Sequence, residues 1–211
     1  MIKNTVVKLT KPDTQSLADY DRQLGCVVGG ADEAGRGPLA GPVVCAAVIM
    51  PLDNILEGIN DSKALTEIKR EKLYDQIIAC AIEHSVAVVD NKIIDLINIH
   101  QASLQGLAQA VNGLKTPTGI MLIDGNAKVK GALRLTKEVI RGDATSYNIA
   151  AASIIAKVTR DRMMREYNKE KEYAGYGFAV HKGYPTAAHF AAIRELGITK
   201  IHRMSFLRGK D

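Results

Sequence analysis

Cys26-Val-Val-Gly-Gly-Ala-Asp32 and Val43-Val-Cys-Ala-Ala-Val-Ile-Met50 are two apolar stretches that a Gly/Pro-rich connection separates. Both are long enough to be central strands of a sheet. Further strands are predicted over residues 85–90 and 119–124 and near 137–141, and helices over residues 66–83, 99–113, about 144–167 and about 186–196. This mixture of apolar strands and amphipathic helices predicts an α/β layered domain.

The size and composition fit one globular domain. The chain has 211 residues, of which 46% are hydrophobic and 24% are charged. No repeat or long linker divides it, so we expect a single domain over residues 1–211. The polar residues 1–24 are expected to form a loosely ordered N-terminal segment.

Nothing in the sequence predicts a membrane protein or a secreted protein. No stretch approaches the roughly 20 uncharged apolar residues that a membrane-spanning helix needs. The first residues lack the apolar core and cleavage site of a secretory signal, and the three cysteines lack metal-site spacing. Reduced cysteines are typical of cytosolic proteins, so we expect a cytoplasmic protein with no membrane partner.

The positive charge is concentrated at the C-terminal end. The formal net charge is +5, and residues 157–211 hold 12 Lys and Arg against 6 Asp and Glu, whereas the rest of the chain holds 16 against 17. A basic end on a near-neutral body is typical of a surface that binds a polyanion such as nucleic acid. A solvated basic tail explains the charge alone equally well.

Four acidic residues occupy positions where a solvated surface carboxylate is not the default. Asp32 and Glu33 terminate the first apolar strand, Asp124 terminates the strand 119–124, and Asp143 starts the long helix. Carboxylates at the ends of neighbouring buried strands lose hydration and repel one another. A divalent cation would resolve that conflict, and carboxylate oxygens without nearby His or Cys favour Mg²⁺ or Mn²⁺ over zinc.

Each of these acids also has a structural interpretation. Asp143 could cap the helix that follows it, and Asp124 could belong to an ordinary turn with the two residues after it. Adjacent strand residues point to opposite faces of a sheet. A single site that contains both Asp32 and Glu33 therefore requires a bend after Asp32 or the use of the main-chain carbonyl of Glu33.

The glycine-rich segment 35–41, Gly-Arg-Gly-Pro-Leu-Ala-Gly, does not fit a dinucleotide-binding loop. Its third glycine comes one residue late for that motif. Pro38 removes an N–H group where a phosphate needs a donor, and the carboxylates of Asp32 and Glu33 would repel a pyrophosphate. We therefore expect no nucleotide cofactor.

Six segments, in order along the chain, resemble the signature motifs of the type 2 ribonucleases H, and specifically those of the bacterial ribonuclease HII family. They cover the chain from about residue 26 to residue 206, and six such motifs in order are far more specific than any one of them. The first reads Asp32-Glu-Ala-Gly-Arg-Gly-Pro-Leu-Ala-Gly-Pro-Val-Val44, and the others are residues 60–65, 123–126, 142–143 with 151–162, 181–189 and 201–206.

The resemblance implies a fold, an activity and a metal site. The family fold is a ribonuclease H-like mixed β-sheet flanked by α-helices, here with a short helical C-terminal part. The family activity is endonucleolytic cleavage of the RNA strand of RNA–DNA hybrids and nicking 5′ of single ribonucleotides in duplex DNA, with 5′-phosphate and 3′-hydroxyl ends. The acids of the family match Asp32, Glu33, Asp124 and Asp143, which would hold two ions of Mn²⁺ or Mg²⁺.

The resemblance also implies residues that bind the substrate. The Gly-Arg-Gly motif of the family matches Gly35, Arg36 and Gly37, and its ribose-sensing tyrosine matches Tyr184. Discrimination of RNA from DNA must rest on the 2′-hydroxyl, and glycines let backbone groups approach a ribose closely. Without the resemblance, a core aromatic is the simpler interpretation of Tyr184. Lys63 is either a phosphate contact or a solvated lysine.

No side-chain nucleophile is predicted. None of the five histidines forms a recognisable motif with a Ser or a Cys, so we expect the histidines to be structural. Asp161 has Lys157 and Arg165 one helical turn away. We interpret it as an ion-paired helix residue rather than as a further catalytic acid.

Two other functions stay open from the residues alone: a non-catalytic nucleic-acid-binding module, and a different nuclease of the same fold, such as a Holliday-junction enzyme. The related ribonuclease HIII family usually carries a sizeable N-terminal domain, and only about 25 residues precede the first strand here. The chain also ends five residues after Phe206. The basic helical part, residues 157–211, is therefore expected to contact nucleic acid. We also expect a monomer.

Overall fold

A five-stranded mixed sheet forms the centre of the computed structural model, which describes residues 13–60 and 62–207. In these residues the strands in chain order are β1 (Val28–Ala34), β2 (Val43–Ile49), β3 (Glu83–Val89), β4 (Ile120–Asp124) and β5 (Thr136–Val139). They lie in the order β3-β2-β1-β4-β5, and β1 pairs antiparallel with β2 and parallel with β4.

Helices cover both faces of this sheet. In the same residues the α-helices in chain order are α1 (Thr14–Arg22), α2 (Glu67–Cys80), α3 (Asn91–Gly113), α4 (Tyr147–Lys169), α5 (Phe178–His181), α6 (Ala187–Leu196) and α7 (Met204–Leu207). α3 packs on one face of β1 and β2, and α4 packs on the other. The predicted α/β fold class and its short helical C-terminal part are confirmed. Within the part of the chain that is described, no helix has the length and apolarity needed to cross a membrane.

The long helix α4 lies very close to the middle of the sheet. A Cβ atom added to Gly30 would come 2.2 Å from the carbonyl carbon of Asn148. The side chain of Asn148 also accepts a hydrogen bond from the backbone N–H of Met50 at 2.8 Å. This close packing holds the first turn of α4 beside the end of β1, where the acidic residues lie.

β1 continues past the acidic pair. Glu33 pairs with Cys45 and Ala34 pairs with Val44 in the ladder between β1 and β2. The strand therefore ends at Ala34, and the expectation that it ends at Asp32 is wrong by two residues. The reason is that the antiparallel ladder with β2 extends further than the apolar pattern of the sequence.

Two helices begin at other residues than the sequence predicts. α3 begins earlier, at Asn91, with Asp90 as its N-cap. Asn98 has a left-handed φ of 66° and interrupts the helix, which hides the helical period of its first part. α4 begins later, at Tyr147, with Ser146 as its N-cap.

Part of the expected loose N-terminal segment is ordered. Within residues 13–24, α1 buries Leu17 against α4. The carboxylate of Asp21 accepts hydrogen bonds from the backbone N–H and the side-chain amide of Asn148 at 2.9 and 2.8 Å. The expectation is wrong for these residues because one face of α1 packs on the core. Residues 1–12 lie outside the described residues.

Candidate active site

The four predicted acids converge at one edge of the sheet. β1 and β4 are adjacent and parallel, so Asp32 and Asp124 lie on neighbouring strands at their carboxyl ends. Asp143 lies in a short 3₁₀ turn, Gly142–Ala144, between β5 and α4. The backbone N–H of Gly142 donates a hydrogen bond to Asp124 Oδ1 at 2.7 Å, which fastens this turn to the end of β4.

Asp32 and Glu33 approach this edge from opposite faces of the sheet. Ala31 packs in the core beneath α3, so the pleat directs Glu33 to the α3 side and Asp32 to the α4 side. Glu33 lines a cavity of about 180 Å³ together with Asp124 and with Ser103 of α3. The strand reaches this arrangement without leaving its ladder, so the first of the two alternatives, a bend after Asp32, is not present, and the alternative with the main-chain carbonyl of Glu33 stays open.

Burial and mutual repulsion dominate the electrostatics of Asp32. Burial raises the pKa of its carboxyl group well above the ordinary value, and the charges of Glu33, Asp124 and Asp143 raise that pKa further. Asp32 is 6% exposed and Asp143 is 8% exposed. The conflict between buried carboxylates that the sequence indicated is therefore present.

Asp143 does not cap the long helix. The N-cap of α4 is Ser146, so the interpretation of Asp143 as the cap of that helix is wrong.

Two basic side chains offset part of this repulsion. Arg36 Nη1 lies 3.1 Å from Glu33 Oε1, and Lys63 Nζ lies 3.6 Å from Asp143 Oδ2. Burial raises the pKa of Glu33, whereas the charges of Arg36 and Lys63 lower it in part. The side chains of Arg36 and Lys63 are 52% and 80% exposed. Each pair therefore joins an exposed basic group to a largely buried carboxylate, which would be left uncompensated if the pair were broken.

The donor set fits a hard divalent cation. In the described residues no three His, Cys, Asp or Glu side chains already stand together as the ligands of one ion. The four acids offer carboxylate oxygens, which Mg²⁺ and Mn²⁺ prefer, and a cation between them would relieve their repulsion. Cys45 pairs with Glu33 in the ladder, but burial raises the pKa of its thiol well above the ordinary value. The thiol of Cys45 is therefore neutral at neutral pH in the metal-free protein.

The predicted substrate loop follows β1 directly. Gly35 has a left-handed φ of 99°, and a Cβ atom there would come 2.1 Å from Nε of Arg160, so glycine is required at this position. A Cβ atom on Gly37 would lie 3.8 Å from Cε1 of Tyr184. The structure thus brings Tyr184 to the loop that carries Gly35, Arg36 and Gly37.

Tyr184 lies at the surface of this loop and is not a core residue. Its relative exposure is 37%. Lys157 Nζ lies 5.5 Å and Arg160 Cζ 5.8 Å from the centroid of its ring, and cations on an aromatic face support that ring. The core interpretation of Tyr184 is therefore wrong, and its ring is accessible to a ligand.

Two residues that the sequence pattern did not single out, Arg160 and Arg203, are both fully buried. Arg160 donates hydrogen bonds to the carbonyl oxygens of Ala40 and Pro42 at 3.1 and 2.9 Å, and to that of Lys182 at 3.0 Å. It therefore joins the glycine-rich loop to the turn before Tyr184. The one available signal was the place of Arg160 in a buried stripe of a helix, where a charged group needs polar partners.

Asp161 is an ion-paired helix residue, as the sequence indicates. Lys157 Nζ lies 2.8 Å from Asp161 Oδ1. Arg165, the other expected partner, pairs instead with Glu67 and Glu71 of α2. Asp161 is thus accounted for without a place among the acids at the edge of the sheet.

Comparison with known sequences finds one family across most of the chain. The sequence profile described as Ribonuclease HII matches residues 29–209. The Ribonuclease HII of Geobacter metallireducens is 53% identical over 185 residues, which are 87% of this chain and 85% of that protein. The Ribonuclease HII of Geotalea uraniireducens is 52% identical over 200 residues, which are 93% of this chain and 91% of that protein.

Comparison with solved structures finds the same fold. The crystal structure of ribonuclease H2 from Pyrococcus horikoshii has a TM-score of 0.71 and 28% sequence identity, over 84% of this chain and 92% of that chain. The crystal structure of Bst-RNase HIII in complex with Mn²⁺ has a TM-score of 0.66 and 21% identity, over 90% of this chain and 70% of that chain. At 21% identity the second likeness supports the fold alone.

Proposed function

The chain belongs to the ribonuclease HII family, and we propose that it performs the reaction of that family with the acids at the edge of its sheet. It is an endoribonuclease that hydrolyses the RNA strand of RNA–DNA hybrids. It also nicks 5′ of single ribonucleotides embedded in duplex DNA and leaves 5′-phosphate and 3′-hydroxyl ends. The observation that carries the proposed site is the convergence of Asp32, Glu33, Asp124 and Asp143, with Asp32 and Asp124 at the carboxyl ends of the paired strands β1 and β4 and the turn of Asp143 bonded to Asp124.

The enzymes of this family use divalent metal ions, and we infer that these four acids hold two ions of Mn²⁺ or Mg²⁺. When bound, such a pair of ions activates the attacking water and neutralises charge on the leaving 3′-oxygen. The carboxylates bind the ions, and the hydrogen bond from Gly142 orients Asp124 for this purpose. The positive charge of the ions would lower the pKa of Asp32 and keep it ionised at neutral pH.

The ribose is proposed to bind between the glycine-rich loop and Tyr184. Backbone groups of Gly35 and Gly37 can come close to the 2′-hydroxyl, because no side chain stands in the way. The partly exposed ring of Tyr184 can stack on the sugar of the next nucleotide. Arg36 and Lys63, which are exposed and already next to the acids, are proposed to contact the phosphates.

The residues that bind the duplex are proposed to lie close to this site. Many basic residues within 157–207 are committed elsewhere: Arg160 and Arg203 are buried, and ion pairs with carboxylates engage Lys157, Arg162, Arg165, Lys169, Lys182 and Lys200. The charge surplus of residues 157–211 therefore acts mainly through the electrostatic field, and direct contact of this part with nucleic acid would come from the partly exposed ring of Tyr184. Residues 208–211 lie outside the described part.

We further propose that the enzyme is a single domain and a cytoplasmic monomer. The acids, the glycine-rich loop and Tyr184 all come from one chain, so the proposed site needs no second copy. The cysteines of the chain, Cys26, Cys45 and Cys80, are free thiols, which is typical of a reducing compartment.

Four labelled substrates, each incubated with Mn²⁺, with Mg²⁺ and with EDTA, test this function. They are a duplex with one ribonucleotide, a long RNA–DNA hybrid, an all-DNA duplex and an all-DNA four-way junction. We expect metal-dependent cleavage of the first two alone, with the nick 5′ of the ribonucleotide. Cleavage of the junction would identify a different nuclease, and salt-dependent binding with no cleavage under either ion would identify a binding module.

A further inference from the structure

A short segment near the C-terminus, residues 199–203, lies between the two parts of the proposed ribose site. Ala40, at the end of the glycine-rich loop, forms a β-bridge with His202. The backbone N–H of Gly41 donates to the carbonyl of Ile201 at 2.9 Å, and that of Arg203 donates to the carbonyl of Leu39 at 2.7 Å. Segment 199–203 is therefore joined to the loop by backbone hydrogen bonds.

Arg203 supports the backbone of the glycine-rich loop. Its guanidinium group donates four hydrogen bonds to backbone carbonyls: to Gly41 at 2.9 Å, Arg36 at 3.1 Å, Gly35 at 2.7 Å and Pro42 at 3.0 Å. Burial lowers the pKa of Arg203 to about 9, and the nearby charge of Arg160 contributes, so the group stays charged at neutral pH. The planar guanidinium fork can serve several acceptors at fixed angles, which a lysine ammonium cannot do.

His202 supports the backbone at Tyr184 through a second histidine, His189. The backbone N–H of Thr199 donates to His202 Nδ1 at 2.8 Å, so the proton of the neutral ring is on Nε2. His202 Nε2 lies 3.1 Å from His189 Nε2, and His189 Nδ1 lies 3.0 Å from the carbonyl oxygen of Tyr184. One tautomer of each ring is compatible with the whole series of hydrogen bonds: His202 Nε2 donates to His189 Nε2, and His189 Nδ1 donates to the carbonyl oxygen of Tyr184.

This chain of two histidines is enclosed and neutral. His189 and His202 are 0% and 1% exposed. Burial lowers the pKa of His202 to about 4, and His189 lowers it further. Protonation of His202 would place a proton on Nδ1, which could then no longer accept from Thr199, and would add a buried charge, so it is disfavoured at neutral pH. The hydrogen-bond direction from Thr199 to Tyr184 is therefore stable where the enzyme works.

We propose that His202 and Arg203 are positioning residues that set the separation between the glycine-rich loop and Tyr184. The two residues are adjacent in the chain, and each fixes one side of the proposed ribose site. Neither reaches the surface of that site, so each acts through the backbone that it holds. This inference rests on the proposed function, because it assigns a role within the ribose site.

A double-mutant cycle between His202 and Tyr184 tests the inference with the full-length chain. The readouts are kcat and KM on a single-ribonucleotide duplex, the affinity for Mn²⁺ and the free energy of unfolding. We expect H202F to lower kcat/KM about tenfold to a hundredfold, since small displacements far from the chemistry have effects of this size. In the Y184A background the same change should lower kcat/KM less than about twofold, whereas its effect on unfolding should be equal in both backgrounds.

Arg203 is tested in parallel by R203K, which keeps the charge and removes the fork. We expect a similar loss of kcat/KM with the affinity for Mn²⁺ unchanged. The matched controls are R134K and H84F. Arg134 binds backbone carbonyls of Leu114 and Thr116 near the opposite end of β4, and His84 is exposed on β3, so both variants should keep wild-type kcat/KM.

The outcomes separate the inference from the function. An equal loss of kcat/KM for H202F in both backgrounds, or a loss for R134K as large as that for R203K, would overturn the positioning role while the wild type still cleaves. Failure of the wild type to cleave any ribonucleotide-containing substrate would overturn the function and the inference with it. If H202F does not fold, H189N interrupts the chain one step later and is put through the same cycle with the same expectations.

Discussion

The acidic edge of the sheet and the glycine-rich loop meet at the ion pair between Glu33 and Arg36, yet they are built in opposite ways. At the acidic edge, carboxylates are buried beside one another and raise the pKa of Asp32. In the loop, the guanidinium groups of Arg160 and Arg203 bind one carbonyl after another. One region would be stabilised by a cation, whereas the charged groups of the other already have hydrogen-bond partners.

This difference explains how the two regions can serve different steps of one reaction. The acidic edge has an excess of negative charge that Arg36 and Lys63 offset only in part, so the proposed affinity for divalent metal has a direct electrostatic cause. The loop has no such charge imbalance. Its backbone can therefore keep one conformation, which is proposed to distinguish a ribose from a deoxyribose. Four substitutions or conditions can break or sharpen this comparison.

The largest effect is expected at the acidic edge. D124N removes one carboxylate charge without changing the shape of the side chain, and we expect kcat to fall on the order of a thousandfold in Mn²⁺, as for other groups that stabilise transition-state charge. Binding to a hybrid should persist. D161N is the matched control, since Asp161 pairs with Lys157 away from the edge. Activity of D124N within tenfold of wild type would remove Asp124 from the site.

The second effect is a change in the free energy of unfolding as the pH falls. We expect the contributions of His202, which supports the segment of Tyr184, and of Asp32, at the acidic edge, to have opposite signs. The folded pKa of His202 is about 4 against 6.5 ordinarily, so the unfolded chain takes up more protons between these values and stability is lost as the pH falls from 6.5 to 4. The shift corresponds to about 3 kcal/mol. The folded pKa of Asp32 is raised, so its protonation stabilises the fold as the pH falls.

Urea unfolding of the metal-free protein at pH 7 and at pH 4.5 measures both contributions. H202F should lose less stability than wild type between the two pH values, and D32N should lose more. The same pH dependence in both variants would contradict the opposite pKa shifts of the two regions.

The third effect distinguishes the two glycines of the loop. G35A places a Cβ atom against Arg160 and strains a left-handed backbone, so we expect a loss of about 2 kcal/mol in stability and a marked loss of kcat/KM. G37A is the matched control, because its Cβ would only touch Tyr184 at 3.8 Å, and its stability should stay within about 0.5 kcal/mol of wild type. Thermal unfolding and kinetics of both variants check this. Equal losses would mean that Arg160 does not support the loop at Gly35.

The smallest effect is a gain in stability. In metal-free buffer at neutral pH, D32N removes a buried charge from the repulsive edge, and we expect about 1 kcal/mol of added stability, or about 2–4 °C in Tm. Mn²⁺ should raise the Tm of wild type more than that of D32N. D53N changes an exposed carboxylate and should leave the Tm unchanged. A lower Tm for metal-free D32N would show that the carboxylate of Asp32 stabilises the fold by itself.

The two regions also differ in what the sequence alone could predict. Asp32 and Asp124 end apolar runs of the sequence and Asp143 precedes the long helix, so the local pattern was enough to single them out, and the parallel pairing of β1 with β4 brings two of them together. The sequence gives much less indication of the residues that support the loop. Arg203 binds the carbonyl of Gly35 across 168 positions of the chain, and a pattern along one sequence cannot show which distant carbonyl a side chain meets.

The differences between the predicted and the observed fold have similar physical causes. The end of β1 was placed too early because its last pairs depend on β2 rather than on its own apolar residues. The segment with α1 was expected to be loose because its polar residues hide the burial of Leu17 and the bonds from Asp21 to Asn148. In each case a tertiary contact decided the local structure.

Calorimetric titration of Mn²⁺ into the metal-free wild type, D32N and D124N measures most directly whether these acids share divalent ions. We expect saturable binding to the wild type and, in both variants, an affinity lower by at least about tenfold, with far-ultraviolet circular dichroism unchanged. Equal affinities in the three proteins would contradict the assignment, since the carboxylates at the edge of the sheet would then not be the ligands.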